Sequence, residues 1–377
     1  MTYLDNAATS GFKPECVIAA VSGTLKFLSA NPGRGGHSLS IKCARLVQKT
    51  RANLLEFLNC KGGNIVFGHN CTHALNLAIL GSLKTGGHII TTAYEHNSVL
   101  RPLHELERAG KVTLTILSSD ISGAVNPKAI AKAVKKETYL VITNHISNVT
   151  GAETNVKEVG KLCKKHGLLY LVDAAQSAGH GDISMTESGI DMLALAPHKG
   201  LHAPQGIGVL AMCKDLQLKP VFAGGTGTDS VSLYQPPELP ESLESGTLPT
   251  PAVAGLNAGL HWVKQNMTET RAKLSALSEY ALSELKKMSG VTVYTAPKTY
   301  NGIVSFNIGE LYSADIADIL SSQYDIAVRG GLHCAPLIHK HLGTLEQGIV
   351  RASFGTDTTC PQVDFFLNAV KEITGSP

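Results

Sequence analysis

APHKGLHAPQG, residues 196–206, is the stretch on which the fold turns. An apolar run, 192–196, stops just before His198 and Lys199, and a second run, 207–212, begins after two prolines and two glycines. A lysine at a strand end ordinarily needs nothing but water. Here a turn-forming loop between two apolar runs fixes the amine at one point.

The same arrangement repeats upstream. The run 168–172 ends in Asp173, with Gln176 three residues on, and the run 139–143 leads to Asn148. Asn148, Asp173 and His198 stand 25 residues apart twice, as successive strand–crossover–strand units would place them. Helical periods at 38–58, 72–83, 127–136 and 155–166 alternate with strands at 64–67, 88–92 and 112–117. That alternation predicts an α/β fold, a mostly parallel sheet wrapped by helices. The segment 223–250, rich in Gly, Pro, Ser and Thr, reads as a long loop. Helices over 251–265 and 269–288 should follow it. Strands at 291–294, 302–308, 326–329 and 349–354, with helices at 313–322 and 361–373, complete a smaller α+β unit. The expected division is a large domain over 13–255 and a small one over 256–377, with 1–12 packing near the second.

The chain has 377 residues, a net charge of +3, 43% hydrophobic residues and no basic block, which argues against nucleic acid as a partner. No signal-peptide pattern opens it and no apolar run is long enough to span a membrane, so neither secretion nor a membrane partner is expected. Eight cysteines without a C-x-x-C pair read as reduced thiols in a cytoplasm rather than a disulfide framework. No metal-ligand spacing stands out. The glycine-rich GGTGT at 224–228 lacks the strand before and helix after it that a dinucleotide fingerprint requires.

Ligands of open parallel sheets bind beyond the carboxyl ends of the strands. There, an amide, a carboxylate and a His-Lys pair would converge. Either Asp173 or Lys199 alone would read as half of a salt bridge. Together they fit an aldehyde cofactor, pyridoxal 5'-phosphate (PLP), whose carbonyl takes a lysine amine and whose pyridine nitrogen needs an acidic partner. Residues 71–74 (Cys-Thr-His-Ala) open a helix directly after a strand, and a helix N-terminus is a seat for the phosphate.

At this point the chain resembles the fold-type-I PLP enzymes, specifically the class V aminotransferases and, within them, the cysteine desulfurases and selenocysteine lyases. The resemblance runs nearly end to end: YLDNAAT at 3–9, NPGRGGHSLS at 31–40, YEHNSV at 94–99, SNVTG at 147–151, VDAAQSAGH at 172–180, PHKGLHAPQGIGVL at 197–210, ESGTLPT at 244–250, RGGLHCAP at 329–336 and VRASFG at 350–355. It implies roles position by position. Lys199 matches the Schiff-base lysine and His198 a phosphate donor. His96 matches the residue stacked on the pyridine ring, Asp173 its nitrogen partner and Gln176 the donor to its phenolic oxygen. Thr72 and His73 match the phosphate-cradling turn. Thr247 matches a phosphate contact from a neighbouring subunit, which implies a homodimer with shared sites. Arg351 matches the substrate-carboxylate clamp, helped by Asn148. Cys334, on a loop before an expected turn at Pro336, matches the cysteine that accepts sulfur as a persulfide. His333 beside it reads either as a surface histidine or as a perturber of that thiol.

The sequence departs from the family where Ala196 replaces a common phosphate-binding serine, His73 a common acidic residue, and Pro336 a common glutamine. The expected activity is conversion of L-cysteine to L-alanine with sulfur passed to an acceptor protein. Selenocysteine is the near alternative, and another class V β-lyase, transaminase or epimerase reaction the wider one.

Overall fold

A computed structural model describes residues 1–33, 35–118, 125–297 and 301–375. Residue 34 of the NPGRGGHSLS stretch lies outside the described residues. The chain opens with β1 (Thr2–Tyr3), α1 (Glu15–Phe27) and α2 (Ser38–Phe57). Strand and helix then alternate through β2 (Asn64–Gly68), α3 (Cys71–Gly81), β3 (Gly87–Thr92), α4 (Asn97–Arg108) and β4 (Val112–Leu117). The alternation continues with α5 (Pro127–Ala133), β5 (Thr138–Asn144), α6 (Val156–His166) and β6 (Leu169–Asp173). A short α7 (Met185–Ser188) precedes β7 (Met192–Leu195), and the loop carrying Lys199 joins β7 to β8 (Gly208–Met212).

These strands form a seven-stranded sheet in the order β2-β8-β7-β6-β5-β3-β4. Its strands from β7 to β4 are mutually parallel, whereas β8 runs antiparallel to both β2 and β7. The connection from β7 to β8 holds no helix, and a strand that returns without a crossover helix returns antiparallel. Successive residues feed opposite faces of the sheet. Ile90, Val141, Val172 and Leu193 pack under α2, α6 and the first half of a later helix. Ile89, Leu140, Leu171 and Met192 pack under α3 and α4. Each such fully buried aliphatic side chain contributes about 1.5–3 kcal/mol, so the two layers and not the loops set the sheet's position. The order of elements also has local causes. The Asn155 side chain accepts from Glu158 N to start α6, and Gly167 at φ +65° ends it.

Beyond β8 the chain runs irregularly to α8 (Thr250–Leu285). Then come β9 (Val291–Val293), β10 (Ile303–Ile308), α9 (Ser313–Tyr324), β11 (Ile326–Ala327), α10 (Pro336–Leu342), β12 (Val350–Ser353) and α11 (Cys360–Thr374). β12, β10 and β9 form an antiparallel sheet, and β1 pairs in parallel with β11. Leu274, Leu277, Ala281 and Leu285 of α8 share a separate core with Phe306, Val350 and Phe366.

Two expectations need correction. The helices expected at 251–265 and 269–288 are one continuous helix of 36 residues. Asn266, Met267 and Thr268 include neither Gly nor Pro, and the Asn266 side chain donates back to the Trp262 carbonyl oxygen instead of breaking the helix. The 255/256 boundary therefore falls within α8, and the change of core comes later, between Val263 and Leu274. Pro336, expected in a turn, begins α10, where its fixed φ suits the first helical position.

Candidate active site

β5, β6 and β7 end side by side, with Asn144 opposite Asp173 and Asp173 opposite Ala194. Just beyond them lies a cavity of about 240 Å³. Among the sequence-derived candidates it is lined by Thr72, His96, Asn148, Asp173, Gln176, His198, Lys199 and Arg351. His73, Thr247 and Cys334 do not line it.

Lys199 sits in a tight turn, with its backbone N–H donating to Ala196 O at 3.0 Å. Gly200 follows because a Cβ there would overlap the Ala178 carbonyl oxygen. That close approach locks the lysine loop onto the segment after Asp173. Burial, then the charges of Arg351 and Arg329, lower the Lys199 pKa, against the opposing pull of Asp173 and Cys71. Among the described residues no carboxylate pairs with its ammonium, so the salt-bridge reading falls away. Asp173 Oδ1 accepts from Ala175 N at 2.9 Å and from Cys71 Sγ at 3.7 Å.

His96 caps the N-terminus of α4, its Nδ1 accepting from Ser98 N at 3.0 Å. A ring nitrogen that accepts a backbone N–H carries no proton, so the proton of the neutral imidazole is on Nε2. Burial lowers the His96 pKa, which keeps the ring neutral. Ser98 Oγ in turn bonds Thr72 Oγ1 at 2.8 Å. Gln176 Nε2 donates to Ala7 O at 3.0 Å. His198 Nδ1 meets Thr9 Oγ1 at 3.1 Å, and burial, with Lys199 and Lys13 nearby, pushes its pKa down to about 4. His73 faces a separate, larger hollow of about 550 Å³ that Thr247 also lines. It stacks on His69 with ring centroids 5.0 Å apart, and its backbone N–H is taken by the Asn70 side chain at 2.9 Å.

On the opposite wall, Arg351 from β12 is 1% exposed. It donates to Asn148 O and to Asp5 Oδ1, both at 2.9 Å. Asn148 Nδ2 donates to His333 O at 2.7 Å, which ties the Cys334 loop to this wall. His333 and Cys334 both adopt left-handed backbone, at φ +48° and +57°. Cys334 is exposed. His333 is not a surface residue: it is 3% exposed, and its Nε2 donates to Ile349 O at 2.8 Å. Burial, with Arg351 next, holds its pKa well below the usual histidine range. The sequence reading missed Arg329, Cys71, Asn144 and Ala7 as cavity residues. Arg329 lay within the quoted RGGLHCAP stretch, and Cys71 within the helix start assigned to the phosphate.

Residues 2–366 match the aminotransferase class-V family. The chain belongs to that family. It is 34% identical to a probable cysteine desulfurase of Methanothermobacter thermautotrophicus, over 99% of this chain and 94% of the relative. A cysteine desulfurase structure from Thermococcus onnurineus superimposes with a TM-score of 0.92 at 34% identity, covering 99% of this chain and 94% of that one. A cysteine desulfurase structure from Escherichia coli gives a TM-score of 0.87 at 26% identity, covering 98% and 94%. The class-V fold is thus the fold-type-I architecture that the family resemblance implied, with the mostly parallel sheet expected from the alternation of strands and helices.

This class-V family implies PLP, and the cavity's donor set fits it. Lys199, Arg329 and Arg351 line the cavity against one carboxylate, Asp173. A cavity so biased suits a ligand that carries a phosphate and a carboxylate. The lowered pKa of Lys199 suits an amine that must attack a carbonyl, and the Asp173 carboxylate stands across from it. Thr72 lies in the first turn of α3, at the positive end of the helix. Ala196 lines the cavity and brings no hydroxyl to it.

Proposed function

We propose that this protein is a PLP-dependent cysteine desulfurase that converts L-cysteine to L-alanine and leaves the sulfur on Cys334 as a persulfide. What carries the reading is one cavity that brings together Lys199, whose pKa burial lowers, the Asp173 carboxylate and the buried Arg351. The exposed Cys334 thiol is on the loop tied to the same wall through Asn148. Lys199 would hold PLP covalently, Asp173 its ring nitrogen, and His96 its ring face. Gln176 would hold the phenolic oxygen, and Thr72 and His198, with Thr247 of a second subunit, the phosphate. When bound, PLP supplies a sink for the electrons released at the substrate's Cα.

Arg351, with Asn148, orients the substrate carboxylate, and its burial makes each hydrogen bond count for more than it would in water. Lys199 Nζ takes the Cα proton, a role that its lowered pKa favours. The Cys334 thiolate then attacks the substrate sulfur. An S–S bond forms, the Cβ–S bond breaks, and its electron pair goes to Cβ, which is protonated; return of a proton from Lys199 to Cα then gives L-alanine. The exposed position of Cys334 suits onward transfer to an acceptor protein. Selenocysteine fits the same site. A homodimer completes the reading, and the eight free cysteines support a location in the cytoplasm.

The test is incubation of the PLP-loaded protein with L-cysteine, with alanine and sulfide measured against pyruvate and ammonia. Cys334→Ala should stop alanine formation from cysteine while the Cα proton still exchanges with deuterium. It should keep much of the activity on selenocysteine, whose selenium is the better leaving group. Alanine formed from cysteine at the wild-type rate by Cys334→Ala would sink the sulfur-acceptor role and turn the reading toward a lyase or transaminase.

A further inference from the structure

The Arg351 guanidinium is already half engaged by the protein. Nη1 donates to the Asn148 carbonyl oxygen and Nη2 to Asp5 Oδ1, each at 2.9 Å, while the buried Nε has no partner. A guanidinium is a planar fork of five donors. Two acceptors fixed at two of its nitrogens determine its plane.

Asp5 is held by backbone, not by its side chain alone. It forms a parallel bridge to Ser353, two residues along β12 from Arg351. Ser353 N donates to Leu4 O at 2.6 Å, and Asn6 donates to Ser353 O through its backbone at 3.3 Å and its side chain at 3.0 Å. The N-terminal segment therefore presents Asp5 to Arg351 in a fixed register. From there it crosses to the lysine side, where Ser10 N donates to His198 O at 3.1 Å. Arg351 lines the cavity and Asp5 does not, so Asp5 acts on a ligand only through the arginine.

We infer that Asp5 is the positioning residue of the carboxylate site: it fixes the plane in which the Arg351 guanidinium meets the carboxylate of an amino-acid ligand. The inference rests on the reading of Arg351 as the carboxylate clamp. It separates geometry from charge. Asp5→Asn keeps an oxygen acceptor at the same place and loses the charge, whereas Asp5→Ala loses both.

The experiment is a titration of the PLP-loaded protein with L-alanine, followed by visible absorbance, with cysteamine as the ligand that lacks a carboxylate. Asp5→Ala should weaken L-alanine binding about tenfold or more, the scale of effect that a small misplacement of an orienting group produces. Cysteamine binding should stay unchanged, and Asp5→Asn should remain within about threefold of wild type. If Asp5→Ala does not accumulate, Asp5→Ser, too short to reach the guanidinium, is read by the same criterion. Three results would each overturn the inference: unchanged L-alanine binding in the truncated variant, equal weakening of both ligands, or an Asn variant as weak as the Ala variant. L-alanine binding needs no sulfur chemistry. A wild-type protein that binds L-alanine but makes none from cysteine would therefore defeat the desulfurase reading and leave the Asp5 result to stand by itself.

Discussion

Burial shifts the pKa of two groups near the strand ends, in opposite directions. Burial lowers the Lys199 pKa, and the expected consequence is covalent capture of the cofactor. Borohydride reduction of the loaded protein followed by peptide mass mapping should place the adduct on Lys199, and Lys199→Ala should fold yet carry none. An adduct on another lysine would contradict the assignment. Glu95, wholly buried beside His96, shows the opposite shift. Its Oε1 accepts from Thr92 Oγ1 at 2.6 Å and Asn144 N at 2.9 Å, Oε2 has no partner, and burial raises its pKa from 4.5 to about 8. Below pH 4.5 the folded and unfolded chains both hold this proton. Between pH 4.5 and 8 only the folded chain does, so stability falls as pH rises, by about 1.4 kcal/mol per unit at most, and levels off above 8. Glu95→Gln removes that slope. Its melting temperature relative to wild type should therefore rise from pH 5 to pH 8, and a pH-independent difference would show that Glu95 is ionised in the fold. Lys199, Asp173 and Asn148 were legible in the sequence because each follows its own apolar run. Asp5, Arg329 and Cys71 were not, because only folding brings them to those strand ends.

Among the elements, α8 bears most directly on the site. Gly259 in its first half lies against the loop after Lys199, and a Cβ there would overlap the Leu201 carbonyl oxygen. Helix propensity favours Gly259→Ala by up to about 1 kcal/mol, but the clash is with backbone and forces helix and loop apart, at about 1–3 kcal/mol. The variant should therefore melt lower than wild type and retain PLP less well. A variant more stable than wild type would show that the loop yields. The parallel strands were legible from their short apolar runs, and α6 from its period. The continuity of α8 was not. The polar 266–268 segment looks like a break locally, but its helical state is fixed by packing on both cores. α4 went unread for a related reason, since Pro102 lies inside it and most of its face is polar.

At the scale of the whole molecule, Thr247 is the residue that the single chain leaves unused. It is exposed, lies in the larger hollow beside the Lys199 cavity, and accepts a 3.4 Å hydrogen bond from Asn31 Nδ2. Its segment is anchored from within by the buried Arg51–Glu244 pair, joined through two hydrogen bonds of 2.8 and 2.7 Å. A rigidly mounted residue outside its own chain's cavity suits service to a second chain, as does the exposure of Phe222, Val231, Leu233 and Tyr234 in the preceding loop. Hybrid dimers separate the two arrangements. If sites are shared, a dimer of one Lys199→Ala chain and one Thr247→Ala chain has one site with both residues intact, the lysine coming from the second chain and the threonine from the first. That site should bind PLP as tightly as wild type, while the Thr247→Ala homodimer releases it faster. If each chain builds its site alone, the hybrid holds only a site lacking Thr247 and should release PLP at the homodimer's rate. Dissociation of PLP from purified hybrids, followed by absorbance after dilution, decides between them.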